Sequence, residues 1–189
     1  MGGMIPARQS PEAEIDWLPA ERLGQATIDA RLRGWLIGKG LLTARLKAAC
    51  KGPFLLRLIE QWTGLLQPSH RQGLRSDDRA GLFRDVEMEC GGQIWVYAQS
   101  IMPDSTLSVH PWLAELGDAA LGETLSGLSG FERSAYEFAW LPSGYPVAAR
   151  ALHRSEVRPA GLWARRSRIS LRGAPILVQE LFLPAIHAE

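Results

Sequence analysis

The chain has 189 residues, 46% hydrophobic and 22% charged, with a net charge of +1. That length and balance suit one soluble domain with a sizeable core. A charge so near zero gives no electrostatic basis for binding nucleic acid or an anionic membrane, and no apolar run approaches the ~18 residues that span a bilayer.

Residues 1–14 are small and polar, with Pro6 and Pro11, and read as a disordered leader ahead of one domain over 15–189. No signal-peptide pattern is visible in them. Ile28, Leu32, Trp35 and Leu36 recur at helical spacing, which predicts a helix capped by Thr27. A second helix is expected from Leu41 to Ala49, ended by Gly52-Pro53. Phe54 to Trp62 reads as the first strand, and Gly64 to Ala80 as a polar loop. Leu82 to Cys90 alternates: Leu82, Arg84, Val86, Met88 and Cys90 share one face, and Phe83, Asp85, Glu87 and Glu89 the other. Gly91-Gly92 turns the chain into a return strand from Gln93 to Met102, stopped by Pro103. Ser105 and Thr106 are read as caps for short helical pieces that reach Leu125. Another strand is expected from Arg133 to Leu141, then a connection to Pro159 with an Ala-rich turn. Two strand-like runs around Arg172-Gly173-Ala174-Pro175 form a closing hairpin. Six strands joined mostly by hairpins, with helices at the front and middle, predict an α+β domain around an antiparallel sheet.

Cys50 and Cys90 are the only cysteines, too few for a disulfide framework or a zinc site, so free thiols in a reducing cytoplasm are the expectation. Cys90 reads as a small core residue. The four histidines are scattered, so no metal site is expected. Phosphate loops, nucleophile elbows and zinc-protease motifs are absent.

Two charges stand on apolar faces. Glu180 alternates in register with Ile176, Val178 and Phe182, and Arg84 with Leu82, Val86 and Met88. One such charge is commonly half of a structural ion pair. Two on separate strands of one sheet suggest a site. An Arg in an apolar pocket suits a small carboxylate, held by a fork of parallel hydrogen bonds. A Glu beside it can serve as acid, base or hydroxyl acceptor. The implied ligand has a carboxylate at one end, a hydroxyl at the other, and an apolar ring or chain between. Arg165 shares a face with Trp163, Ile169 and Leu171 and is a further pocket candidate, whereas Arg166 and Arg168 are expected to be solvated.

The run Gly161-Leu162-Trp163-Ala164-Arg165-Arg166-Ser167-Arg168, followed by Gly173, Pro175-Ile176-Leu177-Val178 and Glu180-Leu181-Phe182-Leu183-Pro184, resembles the C-terminal signature of the chorismate lyase family. Phe83-Arg84-Asp85-Val86, Pro103-Asp104-Ser105-Thr106-Leu107, and Leu116-Gly117 with Leu121-Gly122 resemble further family segments in the same order. The resemblance covers Thr27 to Ala185. It implies a six-stranded antiparallel sheet with helices as flaps over a buried site. It also implies conversion of chorismate to 4-hydroxybenzoate and pyruvate, the committed step toward ubiquinone, by a cytoplasmic monomer without metal or organic cofactor. The family's catalytic and product-holding Arg and Glu map onto Arg84 and Glu180, and its other product contacts onto Leu42 and Leu121. Arg165 is the candidate for the enolpyruvyl carboxylate. The alternative is a non-catalytic effector-sensing module of related fold. The small charge and the few residues ahead of Thr27 speak against it, since such sensors follow a DNA-binding helix-turn-helix.

Overall fold

The structure is a computed structural model that describes residues 15–187, and the leader expected over 1–14 lies outside them. In chain order, β1 (Leu18–Pro19) and α1 (Ala20–Leu23) lead into α2 (Ala30–Ile37) and α3 (Leu42–Ala49). Then come β2 (Phe54–Leu65), α4 (Pro68–Leu74), β3 (Ala80–Cys90) and β4 (Gln93–Pro103). α5 (Asp104–Val109), a 3-10 turn (Pro111–Glu115) and α6 (Leu121–Ser126) precede β5 (Phe131–Arg133) and β6 (Glu137–Pro142). α7 (Pro146–Ala151) and the hairpin of β7 (Gly161–Leu171) and β8 (Ala174–Phe182) complete the fold. The strands form one sheet in the order β1-β6-β7-β8-β4-β3-β2, every pair antiparallel, with β5 beside β6 along β7.

The α+β class holds, but the sheet has eight strands instead of the expected six. One addition is the two-residue β1. The other comes from a break in the strand expected from Arg133 to Leu141. There Ser134 donates its N–H to the Arg168 carbonyl (2.9 Å), and its hydroxyl accepts the Arg168 N–H (3.0 Å). A side chain takes the place of a ladder carbonyl, and the backbone leaves the sheet through Ala135 and Tyr136.

Other local expectations shift for similar reasons. Asp29, two residues past Thr27, caps α2 by accepting from the N–H groups of Arg31 (3.0 Å) and Leu32 (3.2 Å). The polar segment expected as a loop contains α4, started by Pro68 and by a capping box between Gln67 and His70. Ser105 and Thr106 do not cap α5. Their hydroxyls donate to Asp78 (2.7 Å) and to the Pro175 carbonyl (2.7 Å), which dock the helix on its neighbours.

Both faces of the sheet are covered. On one, Leu32, Leu36, Leu42 and Leu46 of α2 and α3 pack on Val86, Met88 and Cys90. On the other lie α4 and α7. That second face buries Asp85, Glu87 and Glu89, each at most 4% exposed. Asp85 accepts from Gln99 (2.9 Å), Arg150 (2.8 Å) and the Tyr97 hydroxyl. Glu87 and Glu89 hold Arg154 between them, and Arg57 reaches Glu89 at 3.2 Å. Burial raises the Glu87 carboxyl above its ordinary range, and Arg154 opposes it. Arg166, expected to be solvated, is buried with its Nε 2.7 Å from Glu137 and its guanidinium over the Trp17 ring.

The expectation of two free thiols fails. Cys50, just past α3, and Cys90, at the end of β3, form a disulfide with their Cα atoms 5.6 Å apart. The bond fixes the helix that covers one sheet face to the strand that carries Arg84. It also removes the basis on which cysteine usage suggested a reducing compartment.

Two predictions follow from this packing. Closing a loop of 40 residues is worth ~2–4 kcal/mol, so Cys50→Ser should lower the unfolding free energy by that much and shift the urea midpoint downward. Equal midpoints with and without reductant would show that the bond does not form. His70 is buried beside Arg166 and Arg150, and desolvation first, then those two charges, pushes it down to about 4. The unfolded imidazole titrates near 6.5, so between these values the unfolded state binds more protons and stability falls as pH falls. The expected slope approaches ~1.4 kcal/mol per pH unit. His70→Gln should remove that component from urea titrations between pH 6.5 and 4, and an unaltered slope would contradict it.

Candidate active site

Antiparallel register sets the site. Arg84 on β3 stands opposite Ser100 on β4, which stands opposite Val178 on β8. Glu180 is two residues further along β8, opposite Ala98. All five side chains therefore project from one sheet face. Above them lies a small cavity of about 40 Å³, roofed by the first residues of α3 and α6. Leu42 and Leu121 are those first residues, and both line the cavity with Arg84 and Glu180. Four of the five residues expected at the site thus come together.

Arg84 is 1% exposed. One of its terminal nitrogens donates to the carbonyls of Gly117 (2.6 Å) and Ala119 (2.7 Å), while its buried Nε has no partner. It forms no ion pair among the described residues. Desolvation lowers its pKa from the ordinary arginine value and the nearby Asp118 charge opposes this, yet a guanidinium titrates so high that it stays charged. The Asp118 carboxylate is itself committed elsewhere, accepting the N–H of Leu58 on the open edge strand β2 (2.6 Å). The site therefore holds a cation that no carboxylate contacts among the described residues, an attractor for a carboxylate ligand.

Glu180 is 7% exposed and uses only one oxygen within the protein. Its Oε2 accepts from Arg165 Nε at 2.5 Å, and Oε1 has no hydrogen bond among the described residues. Arg165 itself does not line the cavity. It lies fully buried behind Glu180, which separates it from the place expected for an enolpyruvyl carboxylate. Its Nη1 donates to the carbonyls of Trp35, Leu36 and Gly38 at the end of α2, and its guanidinium lies 4.2 Å from the centre of the Tyr136 ring. Arg165 thus holds Glu180 in one orientation and ties it to the helix above.

The alternation of charged and apolar residues could not reveal two further features. Arg133, at the end of β5, also lines the cavity. Lys47 of α3 and Glu123 of α6 meet at 3.0 Å across the roof, the lysine half exposed and the glutamate partly so. An exposed pair of this kind contributes ~0–1 kcal/mol, so it closes the roof without locking it.

Comparison with known proteins gives one consistent picture. A family profile described as chorismate lyase matches residues 12–189. A protein of Nitrosospira multiformis named a probable chorismate pyruvate-lyase is 34% identical over 175 residues, 90% of this chain and 94% of that one. A Pseudomonas aeruginosa protein of the same name is 36% identical over 174 residues, 90% and 92% of the two chains. Among solved structures, the effector domain of PhnF from Mycobacterium smegmatis is similar with a TM-score of 0.55 at 15% identity, over 77% of this chain and 90% of that one. The C-terminal domain of a histidine utilization repressor from Pseudomonas syringae gives 0.52 at 8% identity, over 71% and 94%. The structural matches share the fold, while the family profile spans the segments that carry Arg84 and Glu180. By descent, the chain belongs to the chorismate lyase family.

Proposed function

We propose that this chain converts chorismate to 4-hydroxybenzoate and pyruvate, and so supplies the aromatic ring of ubiquinone. One observation carries the reading beyond family membership. A single apolar cavity pairs an arginine that has no counter-ion with a carboxylate that has one oxygen uncommitted.

The chemistry fits that pair. Chorismate is a cyclohexadiene with a ring carboxylate, a hydroxyl para to it, and an enolpyruvyl ether on the next carbon. The hydrogen on the hydroxyl-bearing carbon leaves as a proton, its electron pair enters the ring, and the ether C–O bond breaks. That bond's electrons depart with enolpyruvate, which gains a proton at its methylene carbon to give pyruvate. The ring becomes aromatic, so orientation and proton movement are the remaining tasks. Arg84 anchors the ring carboxylate. Glu180 meets the hydroxyl end through Oε1 and assists the proton transfer. Leu42 and Leu121 contribute first-turn N–H groups, which no side chain caps at either helix. The ends of α3 and α6 act as flaps that part at the Lys47–Glu123 pair to admit substrate and release product.

The test is to incubate the protein with chorismate in metal-chelated buffer and follow 4-hydroxybenzoate by absorbance. Turnover is expected, and Glu180→Gln should reduce kcat by ~10²–10⁴ while still binding product. Full activity in the Gln variant would remove Glu180 from the chemistry. Tight binding of 4-hydroxybenzoate without any turnover by the unaltered protein would favour a sensor over an enzyme.

A further inference from the structure

The cavity contains a second guanidinium without a counter-ion. Arg133 is held only by neutral partners: its Nη1 donates to the Ser167 hydroxyl (2.8 Å) and to the Tyr136 hydroxyl (3.4 Å). Among the described residues it forms no ion pair, and Nη2 makes no hydrogen bond. Nη2 faces Gly122 at the start of α6, where a Cβ would sit 3.6 Å away, an ordinary contact. The strand break at Ser134 produces this placement. It ends β5 at Arg133 and frees Tyr136 from the ladder to support the guanidinium.

Register places Arg133 on β5 opposite Ile169 of β7, and its side chain reaches Ser167, two residues along, at the far end of a row that begins at Arg84. Ser167 on β7 stands opposite Val178, Val178 opposite Ser100, and Ser100 opposite Arg84. Three strand spacings separate the backbones of Ser167 and Arg84, or about 14 Å. Arg84 enters from one end of this row and Arg133 approaches the other through Ser167, and both line the cavity between. Glu180 lies beside the row, between its ends.

We propose that Arg133 is a specificity-determining residue that recognises a second carboxylate on the substrate, one that the product does not carry. The inference rests on the function proposed above. With the ring carboxylate on Arg84 and the hydroxyl at Glu180, the enolpyruvyl arm extends toward β7 and its carboxylate meets Arg133. Arg165, screened by Glu180, cannot serve there. Once the arm departs as pyruvate, the aromatic product keeps Arg84 and loses Arg133. The same arginine therefore favours capture of a dicarboxylate and release of a monocarboxylate.

The experiment compares chorismate kinetics and 4-hydroxybenzoate binding in the unaltered protein, Arg133→Gln, Arg133→Lys and Arg84→Met. Arg133→Gln should raise KM for chorismate by about 10- to 100-fold, the range for loss of a hydrogen bond to a charged group, with product affinity unchanged. Arg133→Lys keeps the charge and should recover most of that loss. Arg84→Met should weaken substrate and product alike. An unchanged KM in Arg133→Gln overturns the inference, as does an equal loss of product affinity or a Lys variant no better than Gln. If the unaltered protein does not turn over chorismate, the proposed function falls first and this inference with it. If it turns over and only the Arg133 variants behave otherwise than expected, the function stands and the inference alone is lost.

Discussion

A guanidinium 1% exposed and without a counter-ion is the constraint on which this molecule turns. Arg84 has lost its hydration and cannot shed its charge. The protein compensates in part, through the carbonyls of Gly117 and Ala119. Aiming both at one nitrogen requires a tight turn, and Gly117 supplies it at a φ of +53°, where a side chain would be strained. The turn is tethered to the open edge of the sheet by Asp118 and Leu58, and by the Gln61 side chain donating to the Ala114 carbonyl at 2.9 Å. The roof over the cavity is thus built on the segment that stabilises the cation. What this scaffold leaves unsatisfied is the buried Nε of Arg84.

Glu180 presents the complementary case. Its partner Arg165 donates through Nε to the carboxylate and through Nη1 to three carbonyls at the end of α2, and lies against the faces of Tyr136 and Phe182, while its buried Nη2 has no partner. That arrangement leaves the carboxylate with one oxygen fixed and one presented to the cavity. It also makes α2 sense the orientation of Glu180, because the same guanidinium holds both. The disulfide gives α3 a comparable attachment to β3. α2 is thus tied to β7 through Arg165 and α3 to β3 through the disulfide, while the Lys47–Glu123 ion pair spans the roof.

Period-two alternation was enough to single out Arg84 and Glu180, because each interrupts a clean apolar face. The same pattern was uninformative where both faces are buried. Asp85, Glu87 and Glu89 look like the solvent side of a strand, yet Arg150 and Arg154 arrive from 65 or more residues away to neutralise them. Cys50 and Cys90 are 40 residues apart, and only the tertiary path of α3 onto β3 brings them together. Arg165 was placed on the correct face but could not be seen to stand behind Glu180. Arg133 escaped notice for a local reason: the Ser134 hydroxyl breaks a strand whose alternation looks continuous. Serine beside an arginine at the start of a strand, with a tyrosine two residues on, is the signal that was available.

The disposition of the product in the cavity tests the central claim most directly. A crystal structure of the unaltered protein with 4-hydroxybenzoate should show the carboxylate on Arg84, the hydroxyl against Glu180 Oε1, and no contact with Arg133. A ligand bound in the reverse sense, with its carboxylate on Arg133, or one lodged outside the cavity, would contradict it.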